Sequence, residues 1–163
     1  MNKSMNLIGQ YARKAVLNKI NTKTKNKILK RYASLLDKEK ESIIKANQKD
    51  IQFALNKGLK NNLIDRLTID QKGLTNIKNS INKIVKLKDP VDITLEKWSR
   101  PNGLTISRVS IPIGVIGVIY ESRPNVTSDV ASLCFKSGNA VILKGGSEAI
   151  NTNKILVKLF RKS

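Results

Sequence analysis

The segment from Ile111 to Ala149 constrains the fold most, because two short apolar runs alternate in it with two helical patterns. Val115–Tyr120 is a nearly continuous run of β-branched residues bounded by glycine and proline, as expected of a strand buried on both faces of a parallel sheet. Ala140–Leu143 predicts a second buried strand. With the helices that follow them, the strands predict a βαβα unit whose crossover is right-handed. The fold class is therefore α/β.

Helical spacing and capping residues complete this unit. In the segment that follows the first strand, four apolar residues are spaced so that they share one face of a helix: Val126, Val130, Leu133 and Cys134. Thr127 is the predicted N-cap of that helix, and Gly138 is placed to end it. After the second strand, the run Gly145–Glu148 predicts a tight turn, with Ser147 as the N-cap of the next helix.

Polar side chains begin where the predicted strands end. The loop Glu121–Asn125 follows the first strand, and Lys144 follows the second. Ligands of parallel sheets bind beyond the carboxyl ends of the strands. The sequence therefore predicts a ligand site at this edge, with Arg123 as a candidate for binding a phosphate or carboxylate bidentately. An ion pair between Arg123 and Glu121 is the alternative.

Residues 1–90 are expected to be an all-helical layer. Apolar residues recur at helical spacing in four segments, which are marked by Leu7 and Tyr11, by Leu29 and Leu36, by Ile43 and Leu55, and by Leu74 and Ile81. Gly58 ends the third segment. Thr68–Gln71 has the pattern of a capping box before the fourth, which Asp89-Pro90 is expected to close.

Residues 91–110 change period and predict a β-hairpin. Asn102-Gly103 is a strong turn signal between Ile93–Trp98 and Leu104–Val109. An edge hairpin packed on its own domain is the interpretation that requires no further chain.

The charge balance is strongly basic. Lys and Arg number 31 against 12 Asp and Glu, a formal net charge of +19, which raises nucleic acid or an anionic membrane as partners. The lysines are spread over the predicted helices rather than gathered into one stripe, which favours solvated helix faces. Aromatic residues make up 4% of the chain, too few for an aromatic platform that stacks bases. Nucleic-acid binding is therefore ranked last.

One cysteine and no histidine exclude several classes of site. A disulfide framework, a Cys/His zinc site and a Ser-His-Asp triad all need residues that the chain lacks, so no metal site is expected. A reducing, cytoplasmic setting is the default. No apolar stretch approaches the length of a membrane span, and no membrane partner is expected.

The runs YESRPNVTSD and LCFKSGNAVILKGGSEA, which begin at Tyr120 and Leu133, resemble γ-glutamyl phosphate reductase, a family of the aldehyde dehydrogenase superfamily. The resemblance extends back through Trp98–Leu104 and Leu63–Leu67 to Ala46–Asp50 and so covers nearly the whole chain. It covers less than half of a family member. The implied fold is an N-terminal helical layer, a β-hairpin and the first βαβα of an aldehyde-dehydrogenase-like Rossmann domain, which is incomplete.

The resemblance also implies site roles. Asn125 matches the family asparagine whose amide helps to bind the oxyanion, with a loop-capping role as the alternative. Lys144 matches a lysine that contacts the adenosine ribose and, with NADP, its 2′-phosphate; a solvated strand end is the alternative. Glu148, or Ser147, would occupy the neighbouring ribose-contacting position. Cys134 is expected to be scaffold, a small buried hydrophobe, because the family's catalytic cysteine comes later.

The resulting expectation is a truncated γ-glutamyl phosphate reductase-like protein with three parts: helices over 1–90, a hairpin over 91–110 that is an oligomerisation arm, and the start of the dinucleotide-binding domain over 111–163. The catalytic domain is absent. Full-length relatives would reduce γ-glutamyl phosphate to glutamate-5-semialdehyde with NADPH in proline biosynthesis, whereas this chain alone is expected to be inactive. A split enzyme completed by a second chain and a basic nucleic-acid-binding protein are the alternatives.

Overall fold

The structure is a computed structural model that describes residues 3–163. Seven helices are described: α1 (Lys3–Val16), α2 (Thr22–Lys38), α3 (Lys40–Asn56), α4 (Asn61–Leu67), α5 (Gln71–Lys86), α6 (Pro124–Lys136) and α7 (Ile150–Lys162). Four strands are described: β1 (Thr94–Ser99), β2 (Thr105–Val109), β3 (Val115–Ile119) and β4 (Ala140–Lys144). A 3₁₀ turn, Ser147–Ala149, precedes α7.

The main hydrophobic core lies between helices from both ends of the chain. Leu29, Tyr32 and Leu36 of α2 are fully buried, and they share this core with the apolar face of α5. Leu156 of α7 joins the same cluster, and Phe160 packs edge-on against Tyr32 with ring centroids 4.9 Å apart. The last helix therefore closes the layer that the first helices begin.

Helix ends in this layer differ in part from the sequence prediction. Asp70, not Thr68, is the N-cap of α5, because its Oδ1 accepts from the backbone N–H of Gly73 at 2.6 Å. The Thr68 hydroxyl instead donates to the carbonyl of Ile64 at 2.8 Å at the end of α4. The predicted capping box is thus wrong. Helix α5 also ends at Lys86, before the predicted Asp89-Pro90.

Two glycines end helices as predicted. Gly58 follows α3 with a φ of 70°, and Gly138 follows α6 with a φ of 72°. Both angles lie in the left-handed region that glycine adopts without steric cost. At Gly138 space is also short, because an added Cβ would lie 3.0 Å from Cγ of Pro112 and 3.2 Å from Cγ2 of Val91.

A buried charge cluster joins α2, α6 and the segment after α5. The Lys25 ammonium lies 3.0 Å from Oδ2 of Asp89 with both side chains largely buried. Lys136, also buried, donates to Oδ1 of Asn26 at 2.6 Å and to the carbonyl of Val85 at 3.2 Å. Burial lowers the pKa of Lys136 while Asp89 opposes that change. Burial alone would raise the pKa of Asp89, but hydrogen bonds from Thr22 and Lys25 lower it overall.

The hairpin of β1 and β2 is antiparallel and largely solvated. All six residues of β1 are exposed, and Ile106 is the one residue of β2 that is half-buried. Gly103 donates its N–H to the Arg100 carbonyl at 2.9 Å and adopts a φ of 83°, so the turn spans Arg100–Gly103. The predicted turn is therefore present and uses Gly103 for its left-handed position.

Strands β3 and β4 are parallel, with Val115 opposite Ala140 and Ile119 opposite Lys144. This confirms the predicted strands of the βαβα unit. The prediction that β3 is buried on both faces is wrong, because Val115 is 39% and Ile119 86% exposed. Each strand has a single neighbour, and the face of β3 that carries these residues is open to solvent in the described chain.

Within residues 3–163, no helix combines the length and apolar character needed to cross a membrane.

Candidate functional site

The carboxyl ends of β3 and β4 lie side by side and carry the two loops of the predicted site. The backbone N–H of Tyr120 donates to the carbonyl of Lys144 at 3.1 Å, which extends the parallel ladder to the strand ends. Residues 121–123 leave β3, and residues 145–149 leave β4. The structure therefore brings both loops to one edge, as the strand pattern predicts.

The first loop turns sharply into α6. The N–H of Arg123 donates to the carbonyl of Glu121 at 2.7 Å, a three-residue turn with Ser122 at its tip. Pro124 then takes the first helical position, where its missing N–H costs no helical hydrogen bond. Thr127 is therefore inside the first turn of α6, and the prediction of Thr127 as N-cap is wrong.

Asn125 is exposed in the first turn of α6. Its Nδ2 lies 3.5 Å from Oδ2 of Asp129, one helical turn further on. The other carboxylate oxygen of Asp129 is buried and has no hydrogen-bond partner in the described chain. The Asn125 amide therefore makes one long, weak contact with this carboxylate and keeps donor capacity toward solvent.

Thr127 supports the second loop from beneath. Its hydroxyl lies 2.6 Å from the hydroxyl of Tyr120 and donates to Oδ1 of Asn153 at 2.7 Å. A Cβ added to Gly145 would lie 2.5 Å from Nδ2 of Asn153 and 3.0 Å from the Tyr120 ring. Gly145 is therefore required because the chain passes directly over this polar group.

The second loop is closed by Glu148. Its Oε1 accepts from the Ser147 hydroxyl at 2.8 Å, and its Oε2 accepts from the Ser122 hydroxyl at 3.0 Å. Hydrogen bonds from its own backbone N–H, from Ser147 and from Ser122 lower the pKa of Glu148. Ser147 does not cap α7, contrary to the prediction, because its hydroxyl is used by Glu148 and a 3₁₀ turn separates it from the helix.

The amino terminus of α7 is occupied by Asp50, a residue of α3 that is 1% exposed. Oδ1 of Asp50 accepts from the backbone and side-chain nitrogens of Asn151 at 3.1 and 2.7 Å. Oδ2 accepts from the backbone N–H and the hydroxyl of Thr152, both at 2.7 Å. An internal carboxylate therefore uses the amide groups with which such helix ends commonly bind phosphate.

Two cations remain at this edge. Lys144 and Arg123 are exposed, and within residues 3–163 no carboxylate lies within ion-pairing distance of either. The alternative ion pair between Arg123 and Glu121 is not formed. Glu121 lies 3.6 Å from the guanidinium of Arg66 in α4 instead.

Cys134 is buried in α6, as its place on the helix face predicts. Burial raises the pKa of the Cys134 thiol, which disfavours the thiolate that nucleophilic chemistry requires. Leu133, assigned to the same buried face, is 47% exposed. The buried residues of α6 are instead mostly small, with one lysine among them: Pro124, Thr127, Ser128, Ala131, Ser132, Cys134 and Lys136.

Sequence reasoning missed several groups that shape this edge: Asp50, Tyr120, Ser122, Thr127 and Asn153. Ser122 belongs to the predicted loop, but its contact with Glu148 spans 26 positions of the sequence and depends on the pairing of β3 with β4. In the described part of the chain, no group of three or more Cys, Asp or Glu is arranged to hold a metal ion.

Comparison with known proteins first defines the class. A Bacillus subtilis protein whose crystal structure is described as a putative aldehyde dehydrogenase superposes with a TM-score of 0.69 and 17% identity, over 97% of this chain and 33% of that chain. At this identity the likeness concerns the fold alone. The fold is that of the N-terminal part of an aldehyde-dehydrogenase-like α/β protein.

Sequence similarity then narrows the class. The γ-glutamyl phosphate reductase of Thermodesulfovibrio yellowstonii is 48% identical over 145 residues, which are 89% of this chain and 35% of the relative. The crystal structure of γ-glutamyl phosphate reductase from Thermotoga maritima superposes with a TM-score of 0.91 and 41% identity, over 94% of this chain and 37% of that chain. No family model matches.

The chain is therefore similar, over nearly its whole length, to the N-terminal part of γ-glutamyl phosphate reductases. This confirms the resemblance and the fold class drawn from the motifs. The chain spans about a third of the length of the curated relatives it matches.

Proposed function

We propose that these 163 residues form the amino-terminal portion of an oxidoreductase of proline biosynthesis that reduces γ-glutamyl phosphate to glutamate-5-semialdehyde with NADPH. The observation that carries the proposal is the 48% identity to a γ-glutamyl phosphate reductase over 89% of this chain.

The reaction sets the roles that a site must fill. A thiolate displaces phosphate from the acyl phosphate to give a thioester, and the nicotinamide cofactor supplies the hydride that reduces the thioester to the aldehyde. An amide donor is needed where negative charge develops on the acyl oxygen. Asn125 suits that role, because its amide is exposed in the first turn of α6 beside the end of a parallel strand.

Lys144 suits the nucleotide. It is an exposed cation at the end of β4, where the loop that follows packs closely against Asn153 and Ser122. The chemistry of this residue set fits the adenosine end of a phosphorylated dinucleotide, with the loop that carries Ser147 and Glu148 next to the ribose. Since Asp50 fills the end of α7, Lys144 is the group of this loop that remains for a phosphate.

Arg123 suits the substrate. Its guanidinium lies on the same loop as Asn125, has no carboxylate partner in the described chain, and can bind a phosphate or carboxylate bidentately. Arg123 would therefore hold the anionic substrate while Asn125 meets the acyl oxygen.

The thiol must come from polypeptide other than these residues. Cys134 is the sole cysteine of the sequence, and it is buried with a raised pKa. The remaining part of the reductase, in one chain or as a second chain, would supply the nucleophile. A buried, unpaired thiol also agrees with a reducing, cytoplasmic location.

The hairpin is the proposed contact between subunits. Ten of the eleven strand residues of β1 and β2 are exposed, and a solvated hairpin offers open edges on which another chain can pair. A homo-oligomer assembled through residues 91–110 would cover these edges.

The test is an assay of NADP reduction with glutamate-5-semialdehyde and phosphate. The purified chain is assayed alone and after co-expression with the remaining two-thirds of the Thermodesulfovibrio yellowstonii reductase. We expect no turnover alone and turnover in the mixture, with Asn125→Ala lowering kcat about 10²-fold or more. Asn76→Ala, which changes an exposed asparagine of α5, is the matched control and should leave kcat unchanged.

Two results would contradict the proposal. Turnover by the chain alone that is lost in Cys134→Ala would make Cys134 the nucleophile. A mixture that assembles but shows equal kcat for Asn125→Ala and Asn76→Ala would remove Asn125 from the site.

A further inference from the structure

Both oxygens of the Glu148 carboxylate accept hydrogen bonds from serine hydroxyls of the two loops. Ser147 donates to Oε1 and Ser122 donates to Oε2, at 2.8 and 3.0 Å. These two hydrogen bonds orient the carboxylate toward the protein and use part of its capacity to accept from a ligand hydroxyl.

Ser122 is the donor that comes from outside the Glu148 loop. It stands at the tip of the turn between Glu121 and Arg123, so it reaches Glu148 from the β3 side of the edge. The two side chains meet over Gly146, where an added Cβ would lie 2.7 Å from Oγ of Ser122 and 2.9 Å from Oε2 of Glu148. The contact therefore depends on Ser122 and on the absence of a side chain at Gly146.

A carboxylate near a bound ribose affects whether a 2′-hydroxyl or a 2′-phosphate is preferred, and the effect depends on whether the carboxylate is free or hydrogen-bonded to the protein. A free carboxylate after a parallel strand accepts from a ribose 2′-hydroxyl and repels a 2′-phosphate, whereas a cation nearby accommodates the phosphate. Here the carboxylate is engaged, and the exposed cation of Lys144 has no carboxylate partner in the described chain. The arrangement favours the phosphorylated ribose.

We infer that Ser122 is a specificity-determining positioning residue, which selects a 2′-phosphorylated nucleotide by holding Glu148 away from the ribose. The inference rests on the proposed function, because it assigns a selective role within the same nucleotide site. Loss of Ser122 releases Glu148 toward the 2′ position, where its charge opposes the phosphate.

The experiment compares two isomers of equal charge. Adenosine 2′,5′-bisphosphate and adenosine 3′,5′-bisphosphate are titrated calorimetrically into the full chain at fixed salt, and the ratio of their Kd values is the measure. Equal charge matters because the net charge of +19 attracts any polyanion. The unmodified chain should prefer the 2′,5′ isomer, and Ser122→Ala should reduce that preference about tenfold.

Three further variants separate selection from a general structural effect. Gly146→Ala breaks the same contact from the opposite side and should reduce the preference in the same way. Ser42→Ala removes a serine hydroxyl that donates to Oε2 of Glu39 on the surface at 3.2 Å, and should leave the ratio unchanged. Adding Glu148→Gln to Ser122→Ala removes the released charge and should restore the preference.

The outcomes distinguish the inference from the function on which it rests. A preference that persists in Ser122→Ala overturns the role of Ser122 and leaves the nucleotide site in place. A reduced preference that Glu148→Gln fails to restore also overturns it, because Ser122 would then act on structure alone. No preference in the unmodified chain overturns both the inference and the assignment of Lys144 to a nucleotide phosphate.

Discussion

Apolar side chains are buried in the helical layer of this chain and largely exposed in its strand region. Leu29, Tyr32 and Leu36 of α2 are fully buried, whereas Ile113 and Ile119 beside and within β3 are 85% and 86% exposed. The helices close on one another because α7 returns to pack against α2 and α3. The strands form two pairs, neither of which is wide enough to bury both of its faces.

The same contrast holds for polar groups. Asp50 is buried in the helical layer and accepts four hydrogen bonds, which tie α3 to the start of α7. At the strand ends, Lys144, Arg123 and Asn125 are exposed. The difference teaches that the polar groups of the helical layer hold the fold together, whereas those at the strand ends are left accessible to solvent.

The largest expected effect is on the free energy of unfolding, and it compares a buried position of the helical layer with an exposed position of the hairpin. Leu36→Ala empties a fully buried position and should lower the free energy of unfolding by about 2–5 kcal/mol. Leu104→Ala, at a residue next to β2 that is 55% exposed, should change it by less than about 0.5 kcal/mol. Urea denaturation followed by circular dichroism measures both. Equal losses would show that the hairpin contributes to the cooperative unit, and the comparison would fail.

A smaller loss of stability is expected when either of two carboxylates that cap helices is removed. Asp50→Ala leaves the buried donors of Thr152 and the partly buried donors of Asn151 without an acceptor and should cost about 3 kcal/mol. Asp70→Ala removes an exposed N-cap from α5 and should cost about 1 kcal/mol. Thermal and urea unfolding of the two variants would check this order. A larger loss in Asp70→Ala would contradict the role assigned to the buried network.

The buried charge cluster should make the helical layer sensitive to acid. The pKa of Asp89 is lowered in the folded chain, so its contribution to stability is full above its unfolded pKa of about 3.9 and is lost as pH falls through the folded value. Unfolding midpoints measured from pH 7 to pH 2 should therefore fall more steeply at the acid end in the unmodified chain than in Asp89→Asn. At pH 7 that variant should already be less stable, because Lys25 and Lys136 lose their carboxylate.

An ion pair in the hairpin is the control for this pH dependence. The carboxylate of Glu96 lies 3.3 Å from Arg108, and both side chains are more than half exposed. Solvent screens such a pair, so Glu96→Gln should leave the acid profile of unfolding unchanged. A profile that flattens in Glu96→Gln as it does in Asp89→Asn would refute the assignment to the buried cluster.

The smallest effect is expected at the hairpin turn. Gly103 has a φ of 83°, and Gly103→Ala should cost about 1 kcal/mol locally. Because the hairpin is solvated, amide hydrogen exchange should rise in β1 and β2 while the global unfolding midpoint stays constant. Gly138→Ala, where Pro112 and Val91 leave no room for a Cβ, should lower the midpoint itself. Equal midpoints for the two variants would contradict this distinction.

Local pattern predicted much of the fold. The β-branched run Val115–Tyr120 gave a strand, Gly138 ended α6, and the hairpin turned at Gly103, because each depends on neighbours in sequence. Helix caps were predicted less well. Thr127 and Ser147 both have capping side chains, but Pro124 starts α6 earlier and Glu148 takes the Ser147 hydroxyl.

Candidate site residues were found in part for the same reason. Lys144 and Asn125 could be placed at the carboxyl edge because each follows a recognisable strand, and their proposed roles stay predictions. Asp50 could not be found, since a carboxylate inside a helix has no local sign that it will meet a helix end 101 positions away. Ser122 lies in a loop that the sequence predicts, but its contact with Glu148 could not be predicted from the sequence.

The sequence by itself predicted α1–α3 and α5–α7 but not the short helix α4, and it predicted the two strands of the parallel pair and the place where polar residues begin, because periodicity and turn residues act over a few positions. Tertiary structure alone decided that Asp50 closes the end of α7, that Ser122 holds Glu148, and that the outer face of β3 remains open. These features depend on which segments meet in space. Contacts between distant segments depend on packing and on the pairing of strands over long sequence separations. A local sequence pattern contains no information about either.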